Sequence, residues 1–130
     1  MITRTDYLTA SGKYPERMSD PGLTPEIENN IKVLLFRVNM LLDDLGLGEV
    51  IVSSGFRPAS VNEATKGSAS HSCHMDGRAV VIDDDDWSIK NLITKDVLTK
   101  YNLFMESPDS TSTWCHLDIK QRNNRIFIPF

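Results

Sequence analysis

The chain has no apolar run long enough to cross a bilayer, and its first residues, Met1-Ile2-Thr3-Arg4-Thr5-Asp6, lack the apolar stretch of a secretion signal. The expectation is therefore synthesis and residence in the cytosol, with no signal peptide and no membrane span. An excess of positive charge is also missing: 14 Lys and Arg stand against 18 Asp and Glu, for a net charge of −4. No basic stretch interleaved with aromatics occurs, which argues against nucleic acid as a partner. There are only two cysteines, Cys73 and Cys115, far apart in sequence. A disulfide between them is possible, but in a reducing compartment two free thiols are expected. Repeats and low-complexity tracts are absent. At 130 residues, 40% hydrophobic and 25% charged, the composition is that of a soluble globular chain with room for one core.

What is present divides into an arm and a domain. Residues 1–23, with Gly12, Pro15, Pro21 and Gly22 among polar side chains, read as an irregular N-terminal arm with a short helix around Thr3–Leu8. Residues 24–130 read as the single domain. Thr24-Pro25-Glu26 is a helix start, with Thr as N-cap, Pro at the first helical position and an acid in the first turn. Ile27, Ile31, Leu34, Leu35, Val38, Leu41, Leu42 and Leu45 recur at helical spacing until Gly46 ends the element. Val50–Ser54 is a short β-branched strand, broken by Gly55-Phe56-Arg57-Pro58. Residues 59–70 read as a small, polar surface loop with one helical turn. Further strands are expected at 78–82, within the turn and strand of 101–106, and at 114–119 and 125–129, with a helix starting near Trp87 and capped by the acidic run Asp83–Asp86. One long helix followed by strands with a single intervening helix predicts an α+β fold with a small, largely antiparallel sheet.

The densest chemistry lies between Ser70 and Asp86, which holds two of the three histidines, a cysteine, a glycine turn, an apolar strand and four successive aspartates. His74 precedes the Gly77 turn, and His116 falls inside the strand at 114–119. Two imidazoles delivered by neighbouring strands could share a metal ion, or each could be an ordinary hydrogen-bonded histidine.

Three stretches carry a resemblance: Ser54-Gly55-Phe56-Arg57-Pro58, Ser72-Cys73-His74-Met75-Asp76-Gly77-Arg78-Ala79 and Trp114-Cys115-His116-Leu117-Asp118. In this order they resemble the signatures of zinc D-alanyl-D-alanine carboxypeptidases and L-alanyl-D-glutamate peptidases. That family includes phage endolysins and has the Hedgehog/DD-peptidase fold; the similarity spans about residues 24–119. It implies that His74 and His116 are the first and last ligands of a Zn2+ ion. It further implies that Arg57 binds a substrate carboxylate or polarises a carbonyl, and that Ser72 supports the site by hydrogen bonding.

Two positions depart from that pattern. The resemblance calls for an Asp ligand seven residues after the first His, where this chain has Val81, and for an acidic base three residues before the last His, where it has Thr113. A catalytic zinc needs three protein ligands and a carboxylate to take a proton from its water. Asp83 is a substitute metal ligand on the same strand face as Val81, but roughly 6–7 Å further along. Cys73 and Cys115 are possible thiolate donors, although alternation turns Cys115 away from His116. Glu106, at the end of a neighbouring strand, is the substitute catalytic base. The expectation is a murein peptidase-like domain that has lost hydrolysis and serves as a phage virion structural component or a cell-wall-binding one. Its partners would be the peptidoglycan stem peptide or other virion proteins, after synthesis in the host cytoplasm. The alternative is an active zinc-dependent murein peptidase of endolysin or D,D-carboxypeptidase type.

Overall fold

The computed structural model describes residues 1–59, 61 and 72–129. The loop expected at 59–70, and His71, lie almost wholly outside the described residues. Helix α1 is Arg4–Thr9, α2 is Pro25–Asp44 and α3 is Lys95–Lys100. The strands are β1 Val52–Ser54, β2 Ala79–Asp83, β3 Phe104–Glu106, β4 Trp114–Asp118 and β5 Ile126–Phe127, in the sheet order β1-β2-β4-β3-β5.

Helix α2 forms where its periodicity places it. Thr24 accepts a hydrogen bond from the Ile27 amide at 3.2 Å, and Gly46, at φ +70°, takes the left-handed turn that ends the helix. Its apolar stripe, Ile31, Leu34, Leu35, Val38, Leu41 and Leu42, is buried together with Val80 and Ile82 of β2, Met105 of β3 and Cys115 and Leu117 of β4. These strand residues alternate along their strands and so line one sheet face. That face closes the core under α2, and the opposite face is left for the site.

The sheet is mixed rather than antiparallel. The pairs β1–β2, β2–β4 and β3–β4 are antiparallel, but β5 runs parallel to β3, with Met105 opposite Ile126 and Glu106 opposite Phe127. The chain reverses after β4 and returns on the far side of β3. A strand running against β4 in that position must run along β3.

The helix expected near Trp87 is replaced by a 3-10 turn at Lys90–Leu92 and by α3 further on. Asp84 is buried, and its carboxylate takes the amides of Ile89 and Lys90 at 2.9 Å each. The acidic run thus caps a turn. Thr94, whose side chain accepts from the Val97 amide, starts the helix instead.

Residues 1–23 contribute to the core. Thr3 and Asp6 form a reciprocal capping box on α1, and Tyr7 and Leu8 are completely buried. The Tyr7 hydroxyl donates to the Ala79 carbonyl of β2 at 2.8 Å. Gly55 is required by this contact, since a Cβ there would stand 2.0 Å from the Tyr7 carbonyl oxygen. Gly77, at φ +69° and packed against Ile27 and Ile31, turns the chain from the His74 segment into β2.

Candidate functional site

Strand register builds the floor of the site. Val81 of β2 pairs with Ser54 on one side and with His116 of β4 on the other. The β3–β4 register, carried one residue past Met105–Leu117, brings Glu106 beside His116, and Glu106 pairs with Phe127 of β5. Ser54, Val81, His116, Glu106 and Phe127 therefore form one row across all five strands, on the face away from α2. Directly opposite residues in a ladder hold their side chains on the same face, with Cβ atoms about 4.5–5.5 Å apart.

His74 reaches this row from the 3-10 turn Cys73–Asp76 just before β2. Its ring is buried, edge-on to that of His116, with ring centroids 5.5 Å apart. His74 Nδ1 lies 2.8 Å from the Gly55 carbonyl oxygen. A carbonyl only accepts, so the ring proton sits on Nδ1 and Nε2 carries a bare lone pair. Burial pushes the His74 pKa down to about 3, with the charges of His116 and Arg57 adding to the effect and the Gly55 hydrogen bond opposing it. The ring is neutral at physiological pH.

Ser72 and Arg57 lock the turn. The Ser72 hydroxyl accepts from the His74 amide at 3.2 Å and from Arg57 Nη2 at 3.1 Å, and the Arg57 amide donates to the His74 carbonyl at 3.1 Å. Arg57 Nε is buried and has no hydrogen-bond partner. Burial, with the nearby Arg17, pulls the Arg57 pKa down.

His116 is oriented by a group the sequence reading passed over. Asp118 is fully buried; its Oδ2 lies 3.0 Å from His116 Nε2 and accepts from Arg122 Nη2 at 2.8 Å. The Arg122 guanidinium lies 3.6 Å above the Phe127 ring, in cation–π contact. The opposite nitrogen, His116 Nδ1, faces Glu106 Oε2 at 3.9 Å. Glu106 is half-buried, and desolvation raises its pKa while His116 works against that rise. The pattern His116-x-Asp118 was the available signal, since alternation puts both residues on one face.

The other expected donors stay apart from the two histidines. Asp83 pairs with Trp114, two ladder positions beyond the Val81–His116 pair, and is exposed. No bulge between β2 and β4 brings it back, so it is not placed to ligate with His74 and His116. Cys115 lies on the opposite face, buried against Met105, with its thiol pushed up to about 12 by desolvation. Cys73 sits nearer, its Sγ 3.9 Å from Arg122 Nη2, and burial raises its pKa as well. Thr113 is exposed, and its carbonyl accepts from the Asp84 amide.

These residues do not fit a catalytic zinc. Two imidazole nitrogens are available, but the row position next to His116 on β2 is the hydrocarbon of Val81. Among the described residues no group of three or more His, Cys, Asp or Glu side chains could hold a metal ion. None of the described helices is long and apolar enough to cross a membrane.

The family model described as Peptidase M15 matches residues 16–118 of the chain, which span every element from the turn before α2 to the end of β4. No curated protein and no solved structure matches the chain.

Proposed function

Because the chain belongs to the peptidase M15 family, whose members are generally zinc-dependent peptidases, we propose that it is a peptidoglycan-recognising domain derived from such a peptidase and no longer hydrolytic. The observation that carries this reading is the pairing of Val81 with His116. The resemblance calls for a carboxylate ligand at that position, and a valine side chain offers a metal nothing. The rest of the site keeps groups suited to a peptide. Arg57 has a buried, unpartnered Nε–H that a substrate carboxylate or carbonyl would satisfy, and His74, His116 and Glu106 gather on one side of the sheet. A wall-binding or structural component of a phage virion is the setting that accounts for a retained site without its chemistry.

A second reading, an active murein peptidase, is favoured by one distance. Glu106 Oε2 stands 3.9 Å from His116 Nδ1, where a peptidase of this kind needs a carboxylate base. Incubation with purified murein sacculi separates the two. The expected result is co-sedimentation of the protein with sacculi and no release of soluble peptide. Release of peptides bearing new amino termini would overturn the loss of hydrolysis. Absence of co-sedimentation would overturn wall recognition.

A further inference from the structure

Helix α2 carries apolar side chains that the core does not use. Its buried stripe runs from Ile31 to Leu42, yet Phe36 and Met40, one turn apart and outside that stripe, are 68% and 44% exposed. They are not scattered. With the exposed Met1 and with Leu42 and Leu47 they line an open hollow of about 460 Å³. A second hollow of about 220 Å³ shares Leu47 and Gly48 with the first and continues it past the exposed Ile51 to Ile89. Four of the six large hydrophobic side chains exposed among the described residues, Met1, Phe36, Met40 and Ile51, thus line one groove. Single exposed apolar side chains are ordinary, but a gathered patch of them marks a surface that binds something.

The charged side chains lining the groove are Asp43, Glu49 and Asp83, and no Lys or Arg lines it. All three are exposed, and none makes an ion pair among the described residues. We propose that the groove docks an amphipathic helix of a partner protein, rich in Lys or Arg, with its apolar face inward. Phe36, Met40 and Asp43 stand at i, i+4 and i+7 of α2, about 10 Å along its axis, and a helix laid against α2 offers its own i, i+4 and i+7 anchors over the same length. Met1 and Met40 are unbranched and polarizable, and adapt to whichever apolar anchors enter. Basic residues flanking those anchors meet the three carboxylates, which steer the approach and fix the choice of partner. The same carboxylates disfavour the other occupants. A second copy packed by two-fold symmetry would set the patch against itself, carboxylates toward carboxylates. An anionic lipid surface would be repelled. None of Arg57, Ser72, His74, Glu106, His116 and Asp118 lines the groove, so the proposal stands independently of wall recognition.

The test is fluorescence anisotropy of the full chain with a labelled synthetic peptide of about 18 residues, long enough to hold a helix, carrying leucine at i, i+3, i+4 and i+7 positions and lysine elsewhere. One control peptide has the same residues scrambled so that no apolar face forms, and another has glutamate in place of every lysine. The basic amphipathic peptide should bind, and both controls should bind about tenfold more weakly or worse. Phe36→Ser combined with Met40→Ser, two changes at exposed positions, should weaken the basic peptide by a similar factor. Asp43→Asn combined with Glu49→Gln should also weaken it and flatten its dependence on salt. No binding of the basic peptide, equal binding of the scrambled one, or undiminished binding by the Phe36→Ser, Met40→Ser chain overturns the proposal. If that chain loses its cooperative thermal transition, Asp43→Asn with Glu49→Gln decides, and an unchanged affinity there overturns it. Sedimentation velocity and vesicles of a zwitterionic lipid read the other occupants. A dimer of the native chain that Phe36→Ser with Met40→Ser dissolves would assign the groove to a second copy, and vesicle binding lost in the same variant would assign it to a membrane. Either result overturns the partner helix.

Discussion

Val81 and His116 are direct partners across the β2–β4 ladder, with their side chains on the face of the sheet away from α2. The position where the resemblance calls for a metal-binding carboxylate is thus beside the last histidine in space as well as in pattern.

Val81→Asp should therefore create a metal site. The new carboxylate would stand opposite His116 on the same face as His74, completing three ligands. Protein purified without chelator should carry little zinc as the native chain and approach one equivalent as Val81→Asp, by metal mass spectrometry. His74→Ala in the Val81→Asp background should abolish the gain. Adding Thr113→Glu should bring wall-lytic activity if the exposed Thr113 loop can turn toward the row. A folded Val81→Asp chain that binds no zinc would mean that the row is not aligned as described.

Much of this site was legible because it depends on strand alternation. Period two placed His116 and Cys115 on opposite faces and put Val81 and Asp83 on one face two residues apart, and the ladder has this arrangement. The helical period gave α2 from its cap to Gly46. What escaped depends on where the chain returns from a distance. The parallel pairing of β5 with β3 follows from the path of residues 119–125, which carry no periodic signal. The same path delivers Arg122 to Asp118 and Phe127 to His116. Residues 1–23 looked irregular from their Gly and Pro content, yet Tyr7 is buried to its hydroxyl. Glycine and proline mark breaks in local structure and say nothing about which short segment between them is covered by the rest of the fold.

The acid sensitivity of the fold should be traceable to His74. Its pKa falls from an ordinary 6.5 to about 3 in the folded chain, so between those values the unfolded chain binds a proton that the folded chain refuses. The number of bound protons is then larger in the unfolded state, and stability rises with pH across the window. The contribution is fully present above about pH 6.5 and is lost as pH falls toward 3, at up to about 1.4 kcal/mol per pH unit. His74→Gln should unfold more readily at neutral pH but lose this part of the slope, measured as urea midpoints between pH 4 and 7. Parallel slopes in the two chains would show that His74 is not held neutral by burial.

Arg122 should matter for stability out of proportion to its place in a terminal loop. Asp118 is fully buried, and its Oδ2 is held by Arg122 Nη2 at 2.8 Å, with His116 Nε2 at 3.0 Å. Arg122→Leu leaves a buried carboxylate without its guanidinium, which costs up to about 3 kcal/mol, the low end for such pairs because Arg122 is itself partly exposed. Asp118→Asn combined with Arg122→Leu should recover part of that loss, since no uncompensated charge is left inside. Denaturant unfolding of the single and double variants measures both. A single variant within about 0.5 kcal/mol of the native chain would place Asp118 in contact with solvent.

Gly55→Ala tests whether the N-terminal segment and the site are one structure. The added methyl would meet the Tyr7 carbonyl oxygen at 2.0 Å, a backbone atom that no side-chain rotation can move. Either α1 lifts from β1 or the loop carrying the Gly55 carbonyl shifts, and that carbonyl holds His74 Nδ1. Overpacking of this kind costs about 1–3 kcal/mol, and a backbone-to-backbone clash belongs at the upper end. The expected outcome is a lowered unfolding midpoint together with altered ring resonances of His74 in nuclear magnetic resonance spectra. Loss of stability with unchanged His74 resonances would mean that α1 yields and the site does not. Unchanged stability would mean that residues 1–23 do not pack on β1 in solution.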